Sequence, residues 1–123
     1  MMDTSWVQQF QQRTKRFALS CIRISQQLPR SSEAQVIGKQ LLRAGTSVGA
    51  NYRATCRAKS KADLIYKLGL CVEEADEACY WMELLIEAQL VGEEEILPHK
   101  TEAQEILSII SKSRATAKKN LKN

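Results

Sequence analysis

"SKADLIYKLGLCVEEADEACYWMELLI", residues 60–86, is the stretch from which the rest of the chain is best approached. Ser60 followed by Asp63 is an S-x-x-[DE] helix start, in which the hydroxyl accepts a free backbone N–H and the acid reaches back. Leu64, Leu68, Cys71, Val72, Ala75, Cys79, Met82, Leu85 and Ile86 then recur at helical steps and form one broad face. A second set, Tyr66, Leu70, Trp81 and Leu84, is also apolar, and Glu73, Glu74, Asp76, Glu77, Glu83 and Glu87 fill the remainder. A helix apolar on more than one side needs more than one neighbour. It lies deep in a bundle, or it turns part of its surface to another subunit.

Upstream, "SSEAQ" starts a second helix, with Ser32 and Gln35 fitting a capping box. Ile37, Leu41, Ala44 and Val48 make its apolar stripe. Gly38, Leu42, Gly45, Gly49 and Tyr52 make a second one with smaller teeth, which predicts close approach of another helix backbone. Before it, Val7, Phe10, Thr14, Phe17, Cys21, Ile24 and Leu28 run at 3-4-3-4 spacing down a first helix, which Pro29 ends. Downstream, Gly92 is a helix stop, and Ala103, Ile106, Leu107, Ile110 and Ala117 mark the inner side of a fourth helix. The predicted boundaries are about 3–28, 32–57, 60–91 and 98–119, with fraying over "KKNLKN". Four amphipathic helices with short connections predict an all-α, antiparallel up-down-up-down four-helix bundle in a single domain spanning 1–123.

Composition agrees with that class. The chain has 123 residues, 44% of them hydrophobic and 26% charged, which excludes a disordered polyelectrolyte. Gly (5) and Pro (2) are too scarce for the turns of a many-stranded sheet. No apolar run nears the roughly 20 residues that span a bilayer, so no membrane association is expected. "MMDTSWVQQFQQR" lacks the apolar core of a secretory signal, and the cytoplasm is the expected location. Cys21, Cys56, Cys71 and Cys79 have no metal or redox spacing and read as reduced, small buried hydrophobes.

Charge is ordered along the chain. Residues 1–61 hold eleven Lys or Arg and two acids, residues 62–99 one Lys and ten acids, and residues 100–123 six Lys or Arg and two acids. In an alternating bundle the ends of helices two and four share one pole. Arg53, Arg57, Lys59 and Lys61 therefore gather with Lys112, Arg114, Lys118 and Lys119, while Glu33, Glu93, Glu94 and Glu95 occupy the far pole.

"QVIGKQLLRAGTSVGANYRATCRAKSKADLIYKLGLCVEEADEACYWMELLIEA", residues 35–88, resembles the bacterial four helix bundle protein group, related to proteins encoded in intervening sequences of 23S rRNA genes. A more distant similarity is to the accessory protein of diversity-generating retroelements. The similarity is close over helices two and three, carried by "LLRAGTSVGANYR…SKAD" and "EEADEACYWMELL", and extends to "FALSCIRISQQLP" in helix one. It implies a homo-oligomer, with a pentameric ring as the expected number. Through the retroelement proteins it also implies contact with nucleic acid and a reverse transcriptase. The group often carries an acid after "NYR"; Ala54 stands there instead.

The residues offer no catalytic centre. His99 is the single histidine, expected in a surface loop beside Pro98, and no phosphate-cradling glycine motif is present. Glu74 and Glu77 lack the histidine of a bundle metal site, so no metal and no cofactor are expected. The candidate nucleic-acid-binding residues are Arg53, Arg57, Lys59, Lys61, Lys112, Arg114, Lys118 and Lys119, since guanidinium forks suit phosphate oxygens and each neutralised phosphate releases counterions. Tyr52, beside Arg53, is a core-edge residue or a stacking platform. Tyr66 and Trp81, with Asp76 and Glu83 one heptad apart, are candidates for an oligomer interface. The expectation is a non-catalytic oligomeric adaptor for RNA, DNA or a nucleic-acid enzyme. The alternative is a protein-only scaffold whose charges hold its own subunits together.

Overall fold

The computed structural model describes residues 4–122. Four helices follow one another: α1 (Thr4–Gln26), α2 (Ser32–Thr55), α3 (Lys61–Glu87) and α4 (Glu93–Lys122). The predicted start at Asp3 lies outside the described residues. Cross-helix contacts fix every direction. Gly49 meets Thr14, Gly45 meets Cys21 and Gly38 meets Leu28, so α2 runs antiparallel to α1. Arg43 pairs with Glu74 and Glu77 while Thr55 lies against Cys71, so α3 reverses again. Arg114 bonds the Ile65 carbonyl and α4 reverses once more. Each helix packs chiefly on its sequence neighbours, and α1 and α4 close the bundle through a smaller contact.

The predicted stripes are the buried ones. Phe10, Thr14, Phe17, Cys21 and Ile24 face inward from α1, and Leu41, Ala44 and Val48 from α2. Leu68, Cys71, Ala75, Cys79, Met82 and Leu85 do so from α3, as do Ala103, Ile106 and Ile110 from α4. Phe10 meets the ring of Tyr52 edge-on, centroids 4.8 Å apart, which places Tyr52 in the core at 2% exposure. The buried hydroxyls of Thr14 and Thr55 donate to their own helices, at the Gln11 and Asn51 carbonyls. The Tyr52 hydroxyl is buried, with the Cys56 and Cys71 thiols as its polar neighbours among the described residues. Three of the four thiols are buried, and burial pushes Cys71 and Cys79 up to about 11 and Cys21 to about 12. Cys56 departs from the buried expectation and is exposed beyond the end of α2.

Close approach of α1 and α2 is what the glycines permit. A methyl group on Gly45 would overlap the Cys21 sulfur and stand 2.8 Å from its Cβ; one on Gly49 would stand 3.1 Å from Thr14 Oγ1. Both distances are tighter than packed side chains tolerate without shifting.

Helix ends differ from the predicted ones for local reasons. At α2 the cap is Ser31, not Ser32: Ser31 Oγ accepts from the Ala34 N–H at 3.3 Å. The amide of Gln35 is drawn away to the Pro29 carbonyl at 2.8 Å, so it is not free for the predicted box. At α3 the predicted start holds: Ser60 Oγ accepts from the Asp63 N–H, and the Asp63 carboxylate accepts from the Lys59 N–H, each at 3.0 Å.

That helix stops at Glu87, before the predicted Gly92. Gln89 takes a left-handed φ of 58°, while Leu90 N–H bonds the Leu85 carbonyl and Gln89 N–H bonds the Ile86 carbonyl. This is a Schellman end with glutamine where glycine is usual. Gly92 instead precedes α4, which begins at Glu93 and not at Pro98 or Thr101. Glu93, Glu94 and Glu95 fill its first turn, where the positive end of the helix dipole favours acids, and Ile96 anchors that turn in the core. Pro98 deprives only the exposed Glu94 carbonyl of a helical donor. His99 is accordingly helical and half-buried, not in a loop. The last helix continues through Lys122, past the predicted end near Lys119.

Replacing Gln89 with glycine is expected to raise stability by about 1 kcal/mol, since it removes the left-handed penalty of a side chain. Gly45→Ala is expected to lower it by about 1–3 kcal/mol through overpacking on Cys21. Urea denaturation followed by circular dichroism reads both.

Candidate nucleic-acid interface

The cations singled out from sequence converge on one pole. Arg53 lies in the last turn of α2, Arg57 and Lys59 lie in the connection after it, and Lys61 begins α3. Across the same pole come Lys112, Arg114, Lys118 and Lys119 of α4. The tie is Arg114, whose Nε–H donates to the Ile65 carbonyl at 3.1 Å and whose guanidinium lies against Gly69. Gly69 has no side chain, and the guanidinium occupies that space. Arg114 is thus half-buried and engaged within the fold, unlike the rest of the set. Arg53, Arg57, Lys59, Lys61, Lys112, Lys118 and Lys119 are exposed, and among the described residues their side chains make no ion pair or hydrogen bond.

The acid among them is Asp63, and it is occupied. Its carboxylate accepts from the Lys59 N–H and meets Lys67 Nζ at 3.1 Å; the backbone bond and then Lys67 hold it below the usual carboxylate range. The charge of Lys59 acts on it as well, so this one carboxylate offsets only part of the positive charge at the pole.

A second segregation, between layers, was not drawn from the sequence. Helix α1 carries Arg13, Lys15, Arg16 and Arg23 and no acid among its described residues, and α2 carries Lys39, Arg43 and Arg53 against Glu33 alone. The other acids among the described residues sit on α3 and on the first half of α4. Two of the cations cross between layers. Arg13 forks onto Glu102 with two bonds of 2.7 Å and reaches Glu105 at 3.3 Å, clasping α1 to α4. Those carboxylates, with the Glu102 hydrogen bond the largest influence, raise the Arg13 pKa and keep it charged. Arg43 bonds Glu74 at 2.9 Å and Glu77 at 2.6 Å. Counting acids helix by helix would have exposed this layering; the partners of Arg13 and Arg43 required the packing.

The comparisons with known proteins agree with this architecture. A family model described as 23S rRNA-intervening sequence protein matches residues 8–112. The chain belongs to that family. A crystal structure described as a protein of unknown function from the S23 ribosomal protein family of Bacteroides thetaiotaomicron is similar to it at 31% identity. That likeness has a TM-score of 0.81 and covers 89% of this chain and 97% of the other. No curated protein matches it. The family match includes Arg53, Arg57, Lys59, Lys61 and Lys112 and ends before Arg114, Lys118 and Lys119.

The candidate interface residues of this family member lie on α3. Tyr66 is 64% exposed and Asp76 is exposed; Glu83 is half-buried, and neither acid makes an ion pair among the described residues. Trp81 is half-buried instead. Its ring meets Tyr80 edge-on at 5.0 Å, and its Nε1–H donates to Glu77 at 3.1 Å. Arg43 first and Trp81 second hold Glu77 below the usual carboxylate range. Among the described residues no group of three or more His, Cys, Asp or Glu side chains is placed to hold a metal ion, and no helix is long and apolar enough to cross a membrane.

Arg43→Ala is expected to lower stability by about 0.5–1 kcal/mol at neutral pH, a modest loss because the pair is partly exposed. Glu77 titrates lower in the folded state than in the unfolded one, so its contribution is present above about pH 4.3 and fades as pH falls through the folded value. The gap between wild type and Arg43→Ala should therefore close in acid, as read by denaturation midpoints across pH.

Proposed function

We propose that this protein is a non-catalytic cytoplasmic adaptor that works as a homo-oligomer and uses its basic pole to hold RNA or DNA. The observation that carries the reading is the gathering of Arg53, Arg57, Lys59, Lys61, Lys112, Lys118 and Lys119 at one end, their side chains making no ion pair or hydrogen bond among the described residues. Cations left unpaired keep their full field for an outside anion, and guanidinium forks suit phosphate. Membership of a family named for intervening sequences of 23S rRNA supports RNA as the ligand, alone or with a nucleic-acid enzyme. A ring, with five subunits the expected number, repeats the pole and raises the effective concentration of contacts.

A second reading, a protein-only scaffold, is favoured by the outer side of α3. Exposed Tyr66, Tyr80 and Asp76 complement the acid-free α1 of another copy. In that case the charges serve assembly, and light scattering should show subunits separating as salt rises.

For the adaptor, labelled RNA titrated across a salt series is expected to bind at low salt and release progressively. Arg53→Ala with Arg57→Ala should weaken binding about tenfold or more and flatten the salt dependence. Undetectable binding of RNA and DNA at low salt, or binding indifferent to that double change, would remove this reading.

A further inference from the structure

We infer that the groove between α1 and α2 seats the sugar–phosphate backbone of a single nucleic-acid strand and leads it to the basic pole. The inference rests on the nucleic-acid reading above and assigns it a place on the molecule. The groove encloses about 230 Å³ and is open to solvent. That is smaller than the about 300–1,000 Å³ of a pocket that engulfs a small molecule, so a passing segment of chain suits it better.

Its floor follows from the glycine contact. Where Gly49 lies on Thr14, the helices are too close for large side chains, and the floor is made of Gly49, Ala50 and Ala18. Its walls are polar and cationic. Lys15 stands on the α1 side and Arg53 on the α2 side, both exposed and neither paired among the described residues. Gln12 adds an exposed amide. Among the described residues no acid lines the groove and none lies on α1.

A lysine, a guanidinium fork and an amide, with no base-reading surface between them, make the donor set of a backbone site that positions a strand without reading its sequence. Packed helices stand about 8–10 Å apart, so the slot between them is too narrow to admit a duplex but accepts one strand. Arg53 belongs to both the groove and the pole, and Arg57 follows it in the turn just beyond α2, its N–H bonded to the Ala54 carbonyl. The slot and the pole are therefore one continuous cationic track.

The test uses the whole protein, fluorescein-labelled oligouridylate and duplex RNA of equal length, with anisotropy read over a salt series. Lys15→Gln removes one wall charge. Ala50→Glu places an anion on the floor at an exposed position, and circular dichroism melting checks that both variants remain folded. Each is expected to weaken single-strand binding about tenfold, with Lys15→Gln reducing the salt slope by about 0.7. Wild-type binding that both variants retain in full, while Arg57→Ala with Lys59→Ala loses it, overturns the groove and leaves the pole standing. Duplex binding that equals the single strand and suffers the same losses overturns the single-strand assignment. Absence of wild-type binding overturns the nucleic-acid reading itself, and the groove with it.

Discussion

The shortness of the connections governs this molecule. Each of the three spans five residues, 27–31, 56–60 and 88–92. Five extended residues reach about 17 Å, whereas a helix as long as α2 extends about 36 Å. The chain cannot return to the start of a helix before beginning the next, so consecutive helices must be antiparallel. From that follow the meeting of the α2 and α4 C-termini at one pole, the meeting of Glu33 with Glu93, Glu94 and Glu95 at the other, and the tie of Arg114 to Ile65.

Onto this alternation the sequence lays its charge. Among the described residues, acids are confined to α3, the start of α4, Glu33 and the two clasping residues Glu102 and Glu105. The cations that cross to meet them, Arg13 and Arg43, are held in side-chain networks within the fold. Arg53, Arg57, Lys59, Lys61, Lys112, Lys118 and Lys119 do not cross, and they stay exposed. The division separates the cations that hold the helices together from those available to a partner, and it is not visible in the net charge of +4.

Much of the fold was legible because periodicity is a local property. The α1 stripe from Phe10 to Ile24 and the α3 face from Leu68 to Leu85 follow directly from residue spacing. The glycines of α2 announced a close neighbour, and α1 is that neighbour. Helix ends were harder, because they are competitions. Ser31 and Ser32 offer the same hydroxyl, and only the recruitment of Gln35 by Pro29 separates them. Gly92 looked like a terminator, yet Gln89 accepts the left-handed turn and three acids restart the helix ahead of Pro98. Of the candidate site, the shared pole was legible from alternation alone. The inward turn of Arg114, the bond of Trp81 to Glu77 and the groove beside Lys15 depend on which side chains meet across helices, and spacing carries no record of that.

The slight contact between α1 and α4 bears on how the chain reaches this state. Most packing joins elements adjacent in sequence, and the first and last helices meet less extensively, through the shared core and the Arg13 clasp. Loop-closure entropy is therefore small for each successive hairpin and becomes appreciable only at the final join. Such low contact order belongs to topologies that acquire their structure on the order of microseconds to milliseconds. The α1–α2 pair, seated along its glycine seam, needs only a five-residue closure to meet.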